Sequence, residues 1–144
     1  PNGPLLVIDE REIDLLGEMN IRWTAMITDC SPVRTLEPKD ALYQQALKAV
    51  QDYSPPQSQK AHLVGVWQQD SWLLVEAQFE ELLPSVVPLK STGGDLSIVP
   101  QAVWSGYTAP WKATPFIRQY INKQAPELPS ALINCFKPTT LGFR

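Results

Sequence analysis

The sequence predicts an α+β domain in which one curved antiparallel sheet packs against helices. Three observations carry that expectation. Residues 61–79, AHLVGVWQQDSWLLVEAQF, form two apolar, β-branched and aromatic runs split by the polar tetrapeptide Gln68-Gln69-Asp70-Ser71, the pattern of a hairpin. Gly93-Gly94 separates two further apolar runs, 86–89 and 96–99, and is a strong turn pair for a second hairpin. Amphipathic helical segments lie before and after these strands rather than between them, which separates helices from an antiparallel sheet.

Taken in order, residues 5–8 are a short apolar lead-in. Asp9-Glu10-Arg11-Glu12 then reads as a capping box, with Ile13, Leu16 and Met19 at helical spacing, so a helix is expected over 10–19. Residues 21–28 alternate, with Ile21, Trp23, Ala25 and Ile27 on one side, and read as a strand, the alternative being that the helix continues through them. The clearest helix is 39–53. Pro38 stands where a first-turn proline is tolerated, Leu42, Tyr43, Ala46, Leu47, Val50 and Tyr53 form one stripe, and Ser54-Pro55-Pro56 ends it.

In the first hairpin, pairing Trp67 with Trp72 sets Val66 opposite Leu73, Val64 opposite Val75 and His62 opposite Ala77. With a side-chain period of two, Val64, Val66, Leu73, Val75, Ala77 and Phe79 share the core face. Leu63, Gly65, Trp67, Trp72, Leu74, Glu76 and Gln78 make a mixed outer face, expected to be partly buried. The Gly93-Gly94 turn sets Leu89 opposite Ile98, with Val87 and Leu96 on the same side. Pro88 and Pro100 place these strands at an edge or interrupt them, because proline donates nothing to a ladder. Residues 102–104 continue a strand beyond a bulge. Thr114-Pro115 opens a helix to about residue 124, and residues 129–136 add one or two helical turns with Leu132, Cys135 and Phe136 inward. A cystatin-like or NTF2-like roll is similar in element order, by analogy alone; no motif points to a family.

Composition narrows function mainly by exclusion. A chain of 144 residues with 44% hydrophobic residues is one domain with a sizeable core. Its net charge of −3, with 12 basic residues spread along it, gives no footprint for nucleic acid. No run reaches the roughly 18 apolar residues of a transmembrane segment. The opening Pro1 implies a processed or trimmed form and leaves any export signal out of view. Cys30 and Cys135 fit no zinc spacing, so a disulfide between them is the preferred reading over two buried free thiols. That bond would tie the proline-interrupted tail to the start of the domain and would favour an exported protein.

Catalytic signals are sparse. His62 is the single histidine, sits at a strand start, and has no Gly-x-Ser-x-Gly elbow or nearby cysteine to serve. Gly93-Gly94 leads into a strand, not into the helix a phosphate loop requires. Asp9, Glu10, Glu12 and Asp14 are more simply a solvated helix start than a cation site. Neither a metal nor a cofactor is expected. A carboxylate pair from Glu76, Glu80 and Glu81 would need one member buried to serve as an acid.

Residues 103–120, VWSGYTAPWKATPFIRQY, concentrate aromatic and basic side chains in a Gly- and Pro-bearing loop, the composition of interface anchors. The expectation is therefore a non-enzymatic, exported binding or accessory domain using Trp104, Tyr107, Trp111, Lys112 and Arg118. A competing view of the same stretch is that its aromatics fold back and plug an open end of the sheet. Two other classes remain: a small enzyme with His62 and a glutamate such as Glu76 in its cleft, and a structural subunit that self-associates through the Trp67/Trp72 face.

Overall fold

The computed structural model describes residues 5–8, 11–14, 28–106 and 113–140, the first two stretches as backbone only. Strands β1 (Leu5–Ile8) and β2 (Arg11–Asp14) pair antiparallel as a separate two-stranded ribbon. The capping-box helix expected from residue 10 is thus replaced by a strand over Arg11–Asp14, where Leu5 to Ile8 supply a pairing partner that helical spacing does not consider. The remainder of that helix and most of the strand expected at 21–28 lie outside the described residues.

The main sheet has six antiparallel strands and is not closed: β3 (Arg34–Thr35), β4 (His62–Gln69), β5 (Trp72–Gln78), β6 (Ser85–Thr92) and β7 (Asp95–Ile98) in that order, with β8 (Trp104–Ser105) also pairing β6. Three described helices pack on it: α1 (Ala41–Gln51), α2 (Thr114–Gln124) and α3 (Ser130–Cys135). The α+β architecture read from the sequence is the one observed.

The sheet has a core on each face. On one side α1 lays Ala46 and Val50 against Val66, Leu73, Val75, Ala77, Val87 and Leu89. On the other, Phe116, Ile117 and Ile121 of α2 and Leu132 and Ile133 of α3 cover Trp67, Trp72, Leu74, Val86 and Trp104. The face expected to be mixed and partly open is therefore buried, with Trp67 and Trp72 each only 8% exposed. Self-association through that face would require α2 and α3 to leave it.

Register differs from expectation by two residues. The first hairpin closes through Asp70-Ser71 alone, with Asp70 at φ 55°, so Gln69 pairs with Trp72, Trp67 with Leu74 and Val66 with Val75. A tighter turn keeps Gln68 and Gln69 in the ladder, and hydrophobic patterning cannot distinguish registers two residues apart because parity is unchanged. Trp67 and Trp72 consequently share a face as diagonal neighbours, not as a direct pair. A bulge between Leu63 and Gly65 then reverses parity. Leu63 joins the α1 side opposite Ala77, and His62 pairs with Gln78 and is exposed, not apolar-faced opposite Ala77.

The second hairpin follows the expected register, Leu89 opposite Ile98 with Gly93 and Gly94 at φ 58° and 89°. Pro88 shows how a proline fits an interior strand. Its carbonyl accepts from Val99 N at 2.9 Å, so its missing N–H faces the same side, in the gap between the end of β7 and the start of β8. A 3-10 turn at Pro100–Ala102 fills that gap. The ladder is interrupted where proline would have left it short of a donor.

Candidate functional site

An apolar groove of about 420 Å³ opens on the α1 side of the sheet. Its floor is Val50 of α1, Val87 of β6, Ile98 of β7 and Val103. Local sequence makes the opening. α1 ends at Gln51 ahead of Pro55-Pro56, leaving Tyr53 and Ser54 beyond the helix at the groove, while the connection between β5 and β6 carries Leu82-Leu83 outside any strand. Tyr53 (52% exposed), Leu82 (39%) and Leu83 (58%) form the rim, and these are the exposed large hydrophobics among the described residues. Three exposed apolar side chains converging on one cavity form a patch, unlike scattered surface leucines.

The hydroxyls of Ser58, Ser85 and Ser105 in the groove are occupied by the fold. Ser58 Oγ donates to the Gln51 carbonyl at 2.6 Å and accepts from Ser54 N, fixing the chain after α1. The Ser85 and Ser105 hydroxyls meet at 2.9 Å across β6 and β8. The charged lining residue is Glu81, which shares Lys60 with Glu80 at 3.7 and 3.3 Å. Those carboxylates, Glu80 first, raise the Lys60 ammonium above its ordinary value. All three groups are solvated, so the cluster is a mildly acidic lip and adds little stability.

The sequence-predicted residues are distributed otherwise. Trp104 is 1% exposed, edge-on to Tyr120 at 5.4 Å, and serves as core rather than as a surface anchor. Phe116 is buried with it. Arg118 is spent on the fold: Nε donates to the Ile133 carbonyl at 3.1 Å and Nη2 to that of Phe136 at 2.9 Å, clamping α2 to the end of α3. Burial lowers its pKa below the usual guanidinium value. Tyr107, Trp111 and Lys112 lie outside the described residues. Val103 and Ser105, flanking Trp104, do reach the groove.

Glu76 is wholly buried, as an acid would need to be, but its carboxylate is occupied. Oε1 accepts from Thr139 N at 2.9 Å, and Oε2 accepts from Thr140 N at 2.8 Å and from the Thr140 hydroxyl. His62 does not line the groove, so the groove pairs Glu81 with no imidazole. Among the described residues no group of His, Cys, Asp or Glu is placed to hold a metal, and Glu12 and Asp14 of the acidic start lie on β2. Cys30 and Cys135 form a disulfide, Cα to Cα 5.7 Å.

The groove itself was not anticipated. Its one sequence signal is Leu82-Leu83, two large apolar residues in a bend that has no strand to bury them. No described helix is long and apolar enough to cross a membrane. Comparison with family models, curated proteins and solved structures finds no match to this chain.

Proposed function

We propose that the chain is a non-enzymatic binding domain that takes an apolar, uncharged or cationic ligand into the groove between the end of α1 and the β5–β6 connection. The observation that carries this is the convergence of Tyr53, Leu82 and Leu83 on the rim of one cavity. Its volume of about 420 Å³ lies within the roughly 300–1,000 Å³ usual for ligand sites. Hydroxyls turned to one another and to backbone favour shape and apolar area over polar recognition. Glu81 disfavours an anion. The stretch 103–120 enters this reading only at its start, where Val103 and Ser105 line the groove. The disulfide supports an oxidising, exported setting for this binding.

Fluorescence titration with uncharged N-phenylnaphthylamine tests the proposal, with anilinonaphthalene sulfonate as the anionic counterpart. Saturable one-site binding of the uncharged probe is expected, with the anion weaker and gaining affinity in Glu81→Gln. Leu83→Asp, at an exposed position, removes apolar contact worth about 1.4 kcal/mol and should weaken the uncharged probe about tenfold. Absence of saturable binding, or binding unchanged by Leu83→Asp, overturns the reading.

A further inference from the structure

We infer that the Cys30–Cys135 bond is a thiol-addressable clasp for the segment around Cys30, and not the staple that holds the C-terminal tail. The two ends of the bond differ in how else they are fastened. Around Cys135 the chain is anchored repeatedly without it. Arg118 bonds the carbonyls on either side, at Ile133 and Phe136, and Phe136 is fully buried edge-on to Trp67 at 5.8 Å. Four residues further on, Glu76 takes both backbone N–H groups of Thr139 and Thr140, and Gln78 Nε2 donates to Thr140 Oγ1 at 2.9 Å.

The other end is built differently. Asp29, Cys30, Ser31 and Pro32 are four consecutive exposed residues. Their turn is local: Asp29 accepts from Ser31 N and Ser31 Oγ at 3.0 and 2.9 Å, and Val33 N donates to the Cys30 carbonyl at 3.0 Å. These bonds hold the turn's shape and do not hold it against the domain. Among the described residues, side-chain contacts to the domain come at its two ends, from Thr28 Oγ1, which Asn134 Nδ2 approaches at 3.5 Å, and from Val33, which packs half-buried against the core under α2 and α3, leaving Cys30 itself between them. The disulfide is the covalent attachment.

Exposure also sets the direction of exchange. Cys30 is exposed and Cys135 is 6% exposed. A thiolate of an external dithiol attacks Cys30 Sγ; the S–S bond breaks and Cys135 leaves as a thiolate that takes up a proton. The second thiolate of the dithiol then attacks its own sulfur in the mixed disulfide, releasing Cys30 as a thiol and the dithiol as a cyclic disulfide. Two electrons pass from the dithiol to the protein. Reduction opens the segment 28–32 while the sheet, α2, α3 and residues 136–140 remain closed.

The test is hydrogen exchange with peptide-level mass spectrometry on the oxidised protein and on protein reduced by dithiothreitol and capped with iodoacetamide. Faster exchange is expected at 28–33, with Ile121, Leu132 and Thr140 amides and tryptophan emission unchanged. Cys30→Ala/Cys135→Ala should reproduce the reduced pattern. Loss of protection across 130–140, or a double variant that does not fold, makes the bond a structural staple and overturns the inference. Unchanged exchange at 28–33 overturns it equally, because the segment would then be held by other contacts.

Discussion

Glu76→Gln isolates the anchoring of the C-terminal tail with little change in volume. The native carboxylate receives three donors at zero exposure, Thr139 N, Thr140 N and the Thr140 hydroxyl. An amide keeps one acceptor oxygen and turns an NH₂ toward a backbone N–H, so at least one buried donor loses its partner. A hydrogen bond to a charged group contributes roughly 1.5–3 kcal/mol, and an orphaned buried donor costs roughly 1–3 kcal/mol. Relief from burying a carboxylate offsets part of this. Peeling of residues 137–140 into water caps the remainder, giving an expected loss of about 2–3 kcal/mol. For a chain of this size that lowers Tm by roughly 5–10 °C. Urea melts followed by tryptophan emission measure the loss, and exchange at the Thr140 amide locates it. Because the two side chains act on one bond, Glu76→Gln and Thr140→Val should be non-additive by about 1 kcal/mol or more. A variant that melts within a degree of the parent, with Thr140 still protected, refutes this account.

Gly65→Ala should destabilise by about 1–3 kcal/mol, because a Cβ there would collide with the buried Trp67 ring that folds back over it; a thermal melt reads this directly. Val50→Asp puts an unpaired carboxylate at a site 2% exposed beneath α1 and should cost about 4 kcal/mol or more, so a near-parental melt would show that α1 does not cover the sheet. Tyr43 donates its hydroxyl to the Leu63 carbonyl, and burial raises its pKa above the ordinary phenol value. A raised folded-state pKa gives stability that is complete below the unfolded value near ~10 and is lost as pH rises through the folded one. Tyr43→Phe should therefore cost about 1 kcal/mol at neutral pH and flatten the alkaline fall in stability, which paired urea melts at neutral and alkaline pH would show.

How much was legible follows from which interactions leave a periodic trace. The helix expected at 39–53, observed as Ala41–Gln51 with Ala46 and Val50 inward but Tyr53 beyond its end and exposed, the Gly93-Gly94 hairpin with Leu89 opposite Ile98, and the helix opened by Thr114-Pro115 are all local patterns. The Trp67/Trp72 register failed because a two-residue and a four-residue turn predict the same faces, and only the turn's own geometry at Asp70 separates them. Arg11–Asp14 failed because a capping box is a four-residue signal, whereas β1 supplies a four-residue partner. For the site, composition found aromatic residues but not their direction. Trp104 points into the core, while the flanking Val103 and Ser105 reach the groove.

The tail shows where a sharper reading was available. Three prolines, Pro126, Pro129 and Pro138, leave residues 125–140 little cooperative helical strength, so some fastening is required, and the cysteine was the visible candidate. The main polar fasteners, Arg118 and Glu76, bond to backbone groups, and backbone groups have no sequence signature. Glu76 nevertheless announced itself as the lone charge within Trp72–Gln78, a strand otherwise flanked by core residues. A carboxylate in an interior strand must find donors, and backbone N–H groups and hydroxyls of a nearby segment can supply them. Segments with unpaired N–H groups are the irregular ones, such as the stretch after α3, where Thr139-Thr140 offers consecutive N–H groups and a hydroxyl. A single buried acid in a strand and a proline-broken tail are thus complementary signals: each has a deficit that the other satisfies.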